Sequence, residues 1–524
     1  MTAPRGAARP PSEPERRSFT ARTPVNGNPD QVAYRHGFVT RHQVSGWRFV
    51  MRRIASGVAL HDTRMLVDPL RAQSRAVLVG ALILITGLTG CFVFSLIRPS
   101  GVVGDNAILA ERSTAALYVR IDEQLHPVLN LTSARLIVGR PDSPATVKGS
   151  ELDRLPRGNL VGIPGAPERM VQNATRDAEW TVCEAVSGSS SGVTVIAGPL
   201  GGGGERARTL PADHAALVKN DAGVWLLWDG RRSPIDLTDR AVTDALGLAR
   251  QGFGTIPPPR PIAAGLFNAI PEAPALRAPV IRGAGESAPY PLPVTAPVGS
   301  VVAAFDSDNT IPYTIRYYAV LSDGLQPISP VLAAIMRNAD SFGLAQPPRL
   351  GADDVTRLPV GSGIDTAAYP AERITLIDAG VEPVTCVRWA QPADAPQNSL
   401  TLLAGAALPL PDGTRTLDLV GAGGNGVADG VAMSPGTGYL VQTAGVTAPG
   451  SSLFWLSDAG VRYGIDTTGE ANTLAVLGLE SPAVPIPPVV LAQFAAGPTL
   501  SRTDALLAHD ALAADPHPVR LEAP

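Results

Sequence analysis

Lysine is nearly missing from this 524-residue chain: Lys148 and Lys219 are the only two among 43 basic residues, and the other 41 are arginine. Neither lysine closes a glycine-rich loop. No G-x-x-x-x-G-K-[ST] occurs, which excludes the phosphate cradle of P-loop nucleotidases. The arginine bias itself is a codon-level mark of a GC-rich genome. Cysteine is as sparse, with only Cys91, Cys183 and Cys386 and no C-x-x-C. The seven histidines are scattered, without H-E-x-x-H or zinc-ligand spacing, so no metal site and no cofactor is expected. Aromatics are 5%, and 53 Gly with 50 Pro make the chain turn-rich, while 45% hydrophobic content still permits sizeable cores.

Three short patterns approach chemistry and fall short of it. Gly188-Ser189-Ser190-Ser191-Gly192 has the G-x-S-x-G spelling of a hydrolase elbow, but strand-like Val193–Ile196 follows where a helix is required. Asp306, Asp308 and Asn309 begin like a calcium loop and lack the later Gly and Glu. His126 and His214 read as surface or cap residues. No paired carboxylates and no Ser/His/Asp set stands out, so no catalytic residue is expected.

What the chain does have is one uninterrupted apolar run, Ala76 to Ile97, edged by Arg75 and Arg98. Its 22 residues make roughly 33 Å of helix, enough to cross a bilayer once. Residues 1–75 carry 13 Arg and 5 acidic residues, about +8, so with −4 overall the remainder is about −12. Positive flanks stay inside, which predicts a cytoplasmic N-terminus and an exterior from Ser100. An acidic exterior also excludes nucleic acid as a partner. Leu88-Thr89-Gly90-Cys91 resembles a lipobox, but Phe92–Ile97 prolong the run past the cysteine, and Cys91 is read as a membrane-embedded thiol. Thr86 and Gly90, four apart, offer one face for close helix approach.

Ahead of the run, residues 1–35 are rich in Pro, Arg, Gly and Ser and are read as disordered. From Gln43, Val44, Trp47, Val50, Met51, Ile54 and Val58 recur at helical spacing with Arg48, Arg52 and Arg53 between them. A second short element is expected at Thr63–Val67. Two readings of the amphipathic stretch remain open: a basic helix lying on anionic lipid, or a docking helix for a cytoplasmic partner.

Beyond the run the sequence repeats itself. Leu117–Val128 matches Tyr317–Ile328 at an offset of 200, and Arg154-Leu155-Pro156 matches Arg357-Leu358-Pro359 at 203. Trp225–Gly230 matches Phe454–Gly460, and each continues through Ile-Asp and Leu-Gly-Leu to an Ile-Pro-Pro at 256 and 486. All four units read as strand–turn–strand followed by a helical stretch, which makes two halves of two units each. Cys183 and Cys386 are also 203 apart, so they are equivalent positions. Equivalent residues meet only near the axis relating their halves, so a Cys183–Cys386 disulfide would lie on a pseudo-twofold axis in a central core. The alternative is two separate buried thiols.

Several segments resemble one family. Thr40–Arg53, Asp68–Arg75 running into a single helix that exits at Arg98-Pro99-Ser100-Gly101, Gly162–Pro167, the two exterior cysteines, and Pro435–Tyr439 before the last repeat are together similar to the EccB family of mycobacterial type VII (ESX) secretion. Within it, the chain most resembles the subtype tied to iron and zinc acquisition. The resemblance implies an inner-membrane core subunit assembled with EccC (the motor ATPase), EccD, EccE, a mycosin protease and other EccB copies. It also implies an elongated, pseudo-twofold periplasmic region with a disulfide-bearing core and four repeats like a phage lysin's wall-binding module, which adds the cell wall as a candidate partner. An ATPase activity is ascribed to the family, and nothing in these residues supplies it.

The expected fold is α+β: a single-pass helix, then a β-rich bridged core with four α+β repeats. The expected map is a disordered tail (1–40), an amphipathic helix (41–75), a membrane helix (76–97), a linker (98–115), repeat 1 (116–167) and core half 1 (168–215). It continues with repeat 2 (216–277), a Pro-rich connector and core strand (278–315), repeat 3 (316–365), core half 2 (366–440), repeat 4 (441–508) and a tail (509–524). The expected function is structural, as part of a secretion channel. The other classes are a membrane-anchored wall-binding protein, a periplasmic enzyme, for which no motif exists, and a receptor, for which the head is too short and polar.

Overall fold

The computed structural model describes residues 40–61, 69–97, 103–187, 191–249, 255–305, 315–421, 426–444, 452–468, 472–513 and 518. The N-terminal tail, Thr63–Val67, Arg98–Gly101 and Asp306–Asn309 lie outside them, as do parts of the Ser187–Gly192 and Gly421–Gly426 loops. The chain divides into two compact units, Met1–Pro99 and Ser100–Pro524.

The described residues of the first unit form two helices. Arg41–Leu60 starts at a capping box in which the Thr40 hydroxyl accepts from Gln43 N–H and the Gln43 side chain accepts from Thr40 N–H. The second helix, Pro69–Ile97, contains Ser74–Phe94, a 21-residue stretch of mean hydropathy 2.5. Among the described residues it is the one helix long and apolar enough to span a membrane.

In the second unit, four copies of one motif surround a seven-stranded sheet. Each copy has three antiparallel strands, a helix, a strand returning parallel to the first, and a short second helix. Repeat 1 uses Ile108–Glu111, Leu117–Ile121, Gln124–Pro127, helix Leu131–Val138 and Ala145–Val147. Repeat 3 uses Val301–Phe305, Ile315–Val320, Leu325–Ile328, helix Pro330–Ala339 and Arg349–Leu350. His214–Asn220 and Tyr439–Thr443 lead repeats 2 and 4. The longer helices start where a polar side chain takes an orphan N–H: Asn130, Asp239, Ser329 and Asn472, each cap contributing about 1 kcal/mol. Three of them end on left-handed glycines, Gly139, Gly247 and Gly478.

The leading strands begin earlier than the sequence suggests. Ile108–Glu111 falls in the stretch read as linker. Val301–Phe305, read as a core strand, instead pairs with Ile315–Val320 inside repeat 3. Ala508–His509, at the expected boundary between repeat 4 and the tail, pairs antiparallel with Leu160–Val161 of repeat 1. Such segments are too short to show a period, and only their partners define them. The Ile-Pro-Pro match also shifts. The parallel strand of repeat 4 is Val484–Ile486, and its counterpart is Arg260–Pro261 leading into Ile262, past the Ile256-Pro257-Pro258 that resembled it.

The repeats pack across the halves. Repeats 1 and 4 share one core, in which Leu136 and Ile137 meet Val476, Leu477 and Leu500. Repeats 2 and 3 share another, in which Val242 and Leu246 meet Val331 and Ile335. A hydrogen bond also ties each pair: Arg135 Nη1 donates to Leu477 O at 3.3 Å, and Asn338 Nδ2 to Ala241 O at 3.2 Å. The central sheet is interleaved too. Its order is Leu417–Asp418, Gly430–Ala432, Gly192–Ala197, Ala178–Ala185, Val384–Gln391, Ser399–Gly405, Arg208–Thr209. Each half therefore places an outer strand against the other half's hairpin.

Candidate functional site

At the centre of this sheet, Ala178–Ala185 and Val384–Gln391 pair antiparallel, with Cys183 opposite Cys386 and Trp180 opposite Trp389. Both strands are eight residues long and largely buried on both faces, as central strands are, and Glu179 and Arg388 pair across them at 3.0 Å. Cys183 and Cys386 form a disulfide with Cα atoms 4.0 Å apart. The register makes this pair special. Two residues related by 203 positions face each other only there, since neighbouring pairs such as Trp180–Trp389 are separated by other distances along the chain. The local twofold axis thus passes through the disulfide.

The two faces differ. Trp180, Val182, Val387 and Trp389 join the largest core, together with Val193, Leu402, Phe494 and the Ala264–Ala269 helix. Trp180 donates from Nε1 to Pro485 O at 2.8 Å and meets Tyr439 edge-on. On the other face, Cys183 and Cys386 sit with Ile196, Leu403 and Leu408. Two interlocked loops cover them: Gly201 N–H donates to Pro409 O, Ala207 N–H to Ala407 O, and Arg206 pairs with Asp412. A Cβ at Gly201 would lie 2.2 Å from Leu410 O, so this crossing requires glycine.

Sequence reasoning gave no sign of a second buried feature. Glu184, 7% exposed, accepts Ala263 N–H at 2.9 Å, and Arg260, 9% exposed, is its Coulombic neighbour. Burial pushes the Glu184 carboxyl up, against the Ala263 bond and the Arg260 charge, and it pushes the Arg260 guanidinium down. A raised carboxylate favours the proton in the folded state. Stability from this group is therefore present below the ordinary glutamate range and lost as pH rises through the raised value. Glu184→Gln should flatten that slope, read as thermal midpoints of the two proteins from pH 4 upward. An unchanged slope would show that another group carries it.

Other candidates do not converge. His126 Nδ1 lies 2.9 Å from Asn159 O, and His214 Nδ1 lies 2.9 Å from Asp213. Gly192 opens a strand, so the G-x-S-x-G spelling has no helix behind it. Among the described residues, no three His, Cys, Asp or Glu side chains gather in metal-holding geometry.

The sequence model of the family described as "Type VII secretion system ESX-1, transport TM domain B" matches residues 36–514. The chain is 67% identical over 517 residues to the ESX-3 secretion system ATPase EccB3 of Mycolicibacterium smegmatis, covering 97% of this chain and 98% of that one. It is 63% identical over 523 residues to EccB3 of Mycobacterium tuberculosis, at 97% and 96% coverage. The chain belongs to the EccB family. Among solved EccB structures, the fold matches an EccB3 dimer from the ESX-3 core complex with TM-score 0.68 and 60% identity, over 77% of this chain and all of that one. It matches a chain of an intact ESX-5 inner membrane complex with TM-score 0.72 and 34% identity, over 94% and 99%.

In this EccB chain, the apolar face of Arg41–Leu60 is exposed among the described residues. Trp47 is 64% exposed, and Val44, Val50, Met51, Ile54, Arg48, Arg52 and Arg53 are exposed with it. In the apolar helix, Thr86 Oγ1 bonds to Leu82 O and Ile83 O. A Cβ at Gly90 would meet nothing within 4 Å, so its surface is open.

Proposed function

We propose that this chain is a structural core subunit of a type VII secretion membrane complex, anchored by Ser74–Phe94 and contributing its larger unit to the periplasmic part of the assembly. The observation that carries this is agreement over nearly the whole chain, anchor included, with subunits seen inside ESX inner membrane complexes. The arginine-rich N-terminal segment lies on the cytoplasmic side and Ser100 onward on the periplasmic side, following the charge difference across the helix. The face formed by Val44, Trp47, Val50, Met51 and Ile54, flanked by Arg48, Arg52 and Arg53, docks a cytoplasmic partner. Thr86 and Gly90 face a neighbouring membrane helix. The partners are an EccC-type motor ATPase, EccD, EccE, a mycosin protease and further copies of this chain.

The role is scaffolding rather than catalysis. The relatives' names include the word ATPase, yet this chain lacks a P-loop lysine, and its buried carboxylate, Glu184, is held by the Ala263 N–H. Purification from native membranes in mild detergent through a C-terminal tag tests the reading. A megadalton-scale particle holding an FtsK-like ATPase and a polytopic subunit is expected. A lone monomer or dimer retained by peptidoglycan would replace it with a wall-anchor function.

A further inference from the structure

The disulfide on the local axis lets each side chain of the central sheet be compared with its twin. Counting from Cys183 and Cys386, Glu184 corresponds to Val387 and Thr385 to Val182. Arg260 corresponds to Val484: they pair with Val218 and Val441, which lie opposite Trp225 and Phe454 in the matching hairpins. Ala263, whose N–H reaches Glu184, corresponds to Pro487, which has no N–H. One side of the axis thus packs three buried valines where the other buries a carboxylate, a hydroxyl and a guanidinium.

The polar side is incompletely paired. Glu184 Oε1 accepts Ala263 N–H, but Glu184 Oε2, Thr385 Oγ1 and all three Arg260 nitrogens are buried without a hydrogen bond among the described residues. Arg260 is only 9% exposed. An unpaired guanidinium is costly to enclose, and the valines of the twin show that the packing does not demand one. Arg260 also forms part of a cavity wall. On the strand His214–Asn220, pairing with Thr375–Leu376 ends at Ala215 and pairing with Arg260–Pro261 begins at Val218. A cavity of about 540 Å³ lies at that gap, and Leu217, Leu248, Pro257, Ile374 and Ile377 make its wall largely apolar. The other charged side chain among the described lining residues, Asp378, is exposed and accepts Gly380 N–H at 2.9 Å.

We propose that this cavity binds an aliphatic monocarboxylate, whose two oxygens accept from the Arg260 guanidinium while its chain lies against the apolar wall. The arginine fork matches a carboxylate at two points. A peptide end would bring amides that this wall offers few groups to meet. Burial favours the protonated form of Glu184, which leaves the Arg260 charge to the ligand.

The probe is hexanoate, short enough to partition weakly into micelles, titrated calorimetrically into the full chain in detergent. Hexanamide, of the same shape without the charge, is expected to bind roughly tenfold more weakly. Hexanoate should also raise the thermal midpoint of the chain. E184V/R260V, which copies the twin side at two positions, is expected to abolish binding with a midpoint no lower than the parent's, because well-packed apolar residues replace a buried charged pair without loss. Absence of hexanoate binding, equal binding of hexanamide, or binding that survives E184V/R260V would overturn the proposal. So would tighter binding of inorganic phosphate or of acetyl-leucine, which stands for a peptide end. A large fall in the E184V/R260V midpoint would assign the pair to packing and overturn it as well.

Discussion

Trp180→Ala is expected to cost about 3–5 kcal/mol, the range for removing a fully buried aromatic side chain. Trp180 is 1% exposed, packs edge-on against Tyr439 of repeat 4, and donates to Pro485 O of the same repeat. One side chain of the first half thus anchors the last repeat to the central sheet. Truncation leaves a cavity where three elements meet and strands the Pro485 carbonyl. Thermal unfolding of the full chain in detergent should show a large fall in the midpoint, with proteolysis beginning around Tyr439–Thr443. A change in midpoint no larger than that of a surface substitution would mean that the core face of the sheet is less tightly packed than its burial indicates. Trp180→Phe separates the two contributions, because it retains most of the apolar volume and loses the Nε1 donor.

The second large effect is expected from Cys183→Ser with Cys386→Ser. Closing a loop of 203 residues contributes up to about 5 kcal/mol on the chain-entropy account. The paired strands of the central sheet persist in the variant, so that figure is a ceiling. Before any mutation, the unfolded and unreduced chain should titrate with a single thiol, because Cys91 is the only free cysteine among the described residues. A count of three would contradict the bridge. In the folded chain both cysteines are fully buried beneath the loops joined by Gly201–Pro409 and Ala207–Ala407. A small reductant should therefore act only as fast as those loops open.

Much of this architecture is legible in the residues, and the reasons are physical. The apolar helix shows itself by length and absence of charge. Cys183 and Cys386 show themselves by sharing the offset of the Leu-Pro segments, and the register then places them opposite each other. The repeat hairpins are visible at Leu117–Val128 and Trp225–Gly230 because Asp/Gly turns separate strongly apolar strands. The leading strands are not visible: Ile108–Glu111 and Val301–Phe305 are four and five residues long, and the second, Val-Val-Ala-Ala-Phe, shows no alternation. They become strands because a hairpin lies beside them. Glu184 and Arg260 leave no sequence signature, since they lie 76 positions apart and only the docking of repeat 2 brings them together.

The interleaving of the halves bears on how such a chain arose. Repeat 1 is completed by repeat 4, repeat 2 by repeat 3, and each half lends a strand to the other's side of the sheet, with the disulfide on the axis. A polypeptide of one half would find all these contacts in a second copy of itself. The fold therefore has the form of an exchanged homodimer joined end to end, in which Cys183–Cys386 occupies the place of an intermolecular bridge. Gene fusion at that stage would change no contact. It would convert an association that depends on concentration into one that does not, and it would release the two halves to diverge.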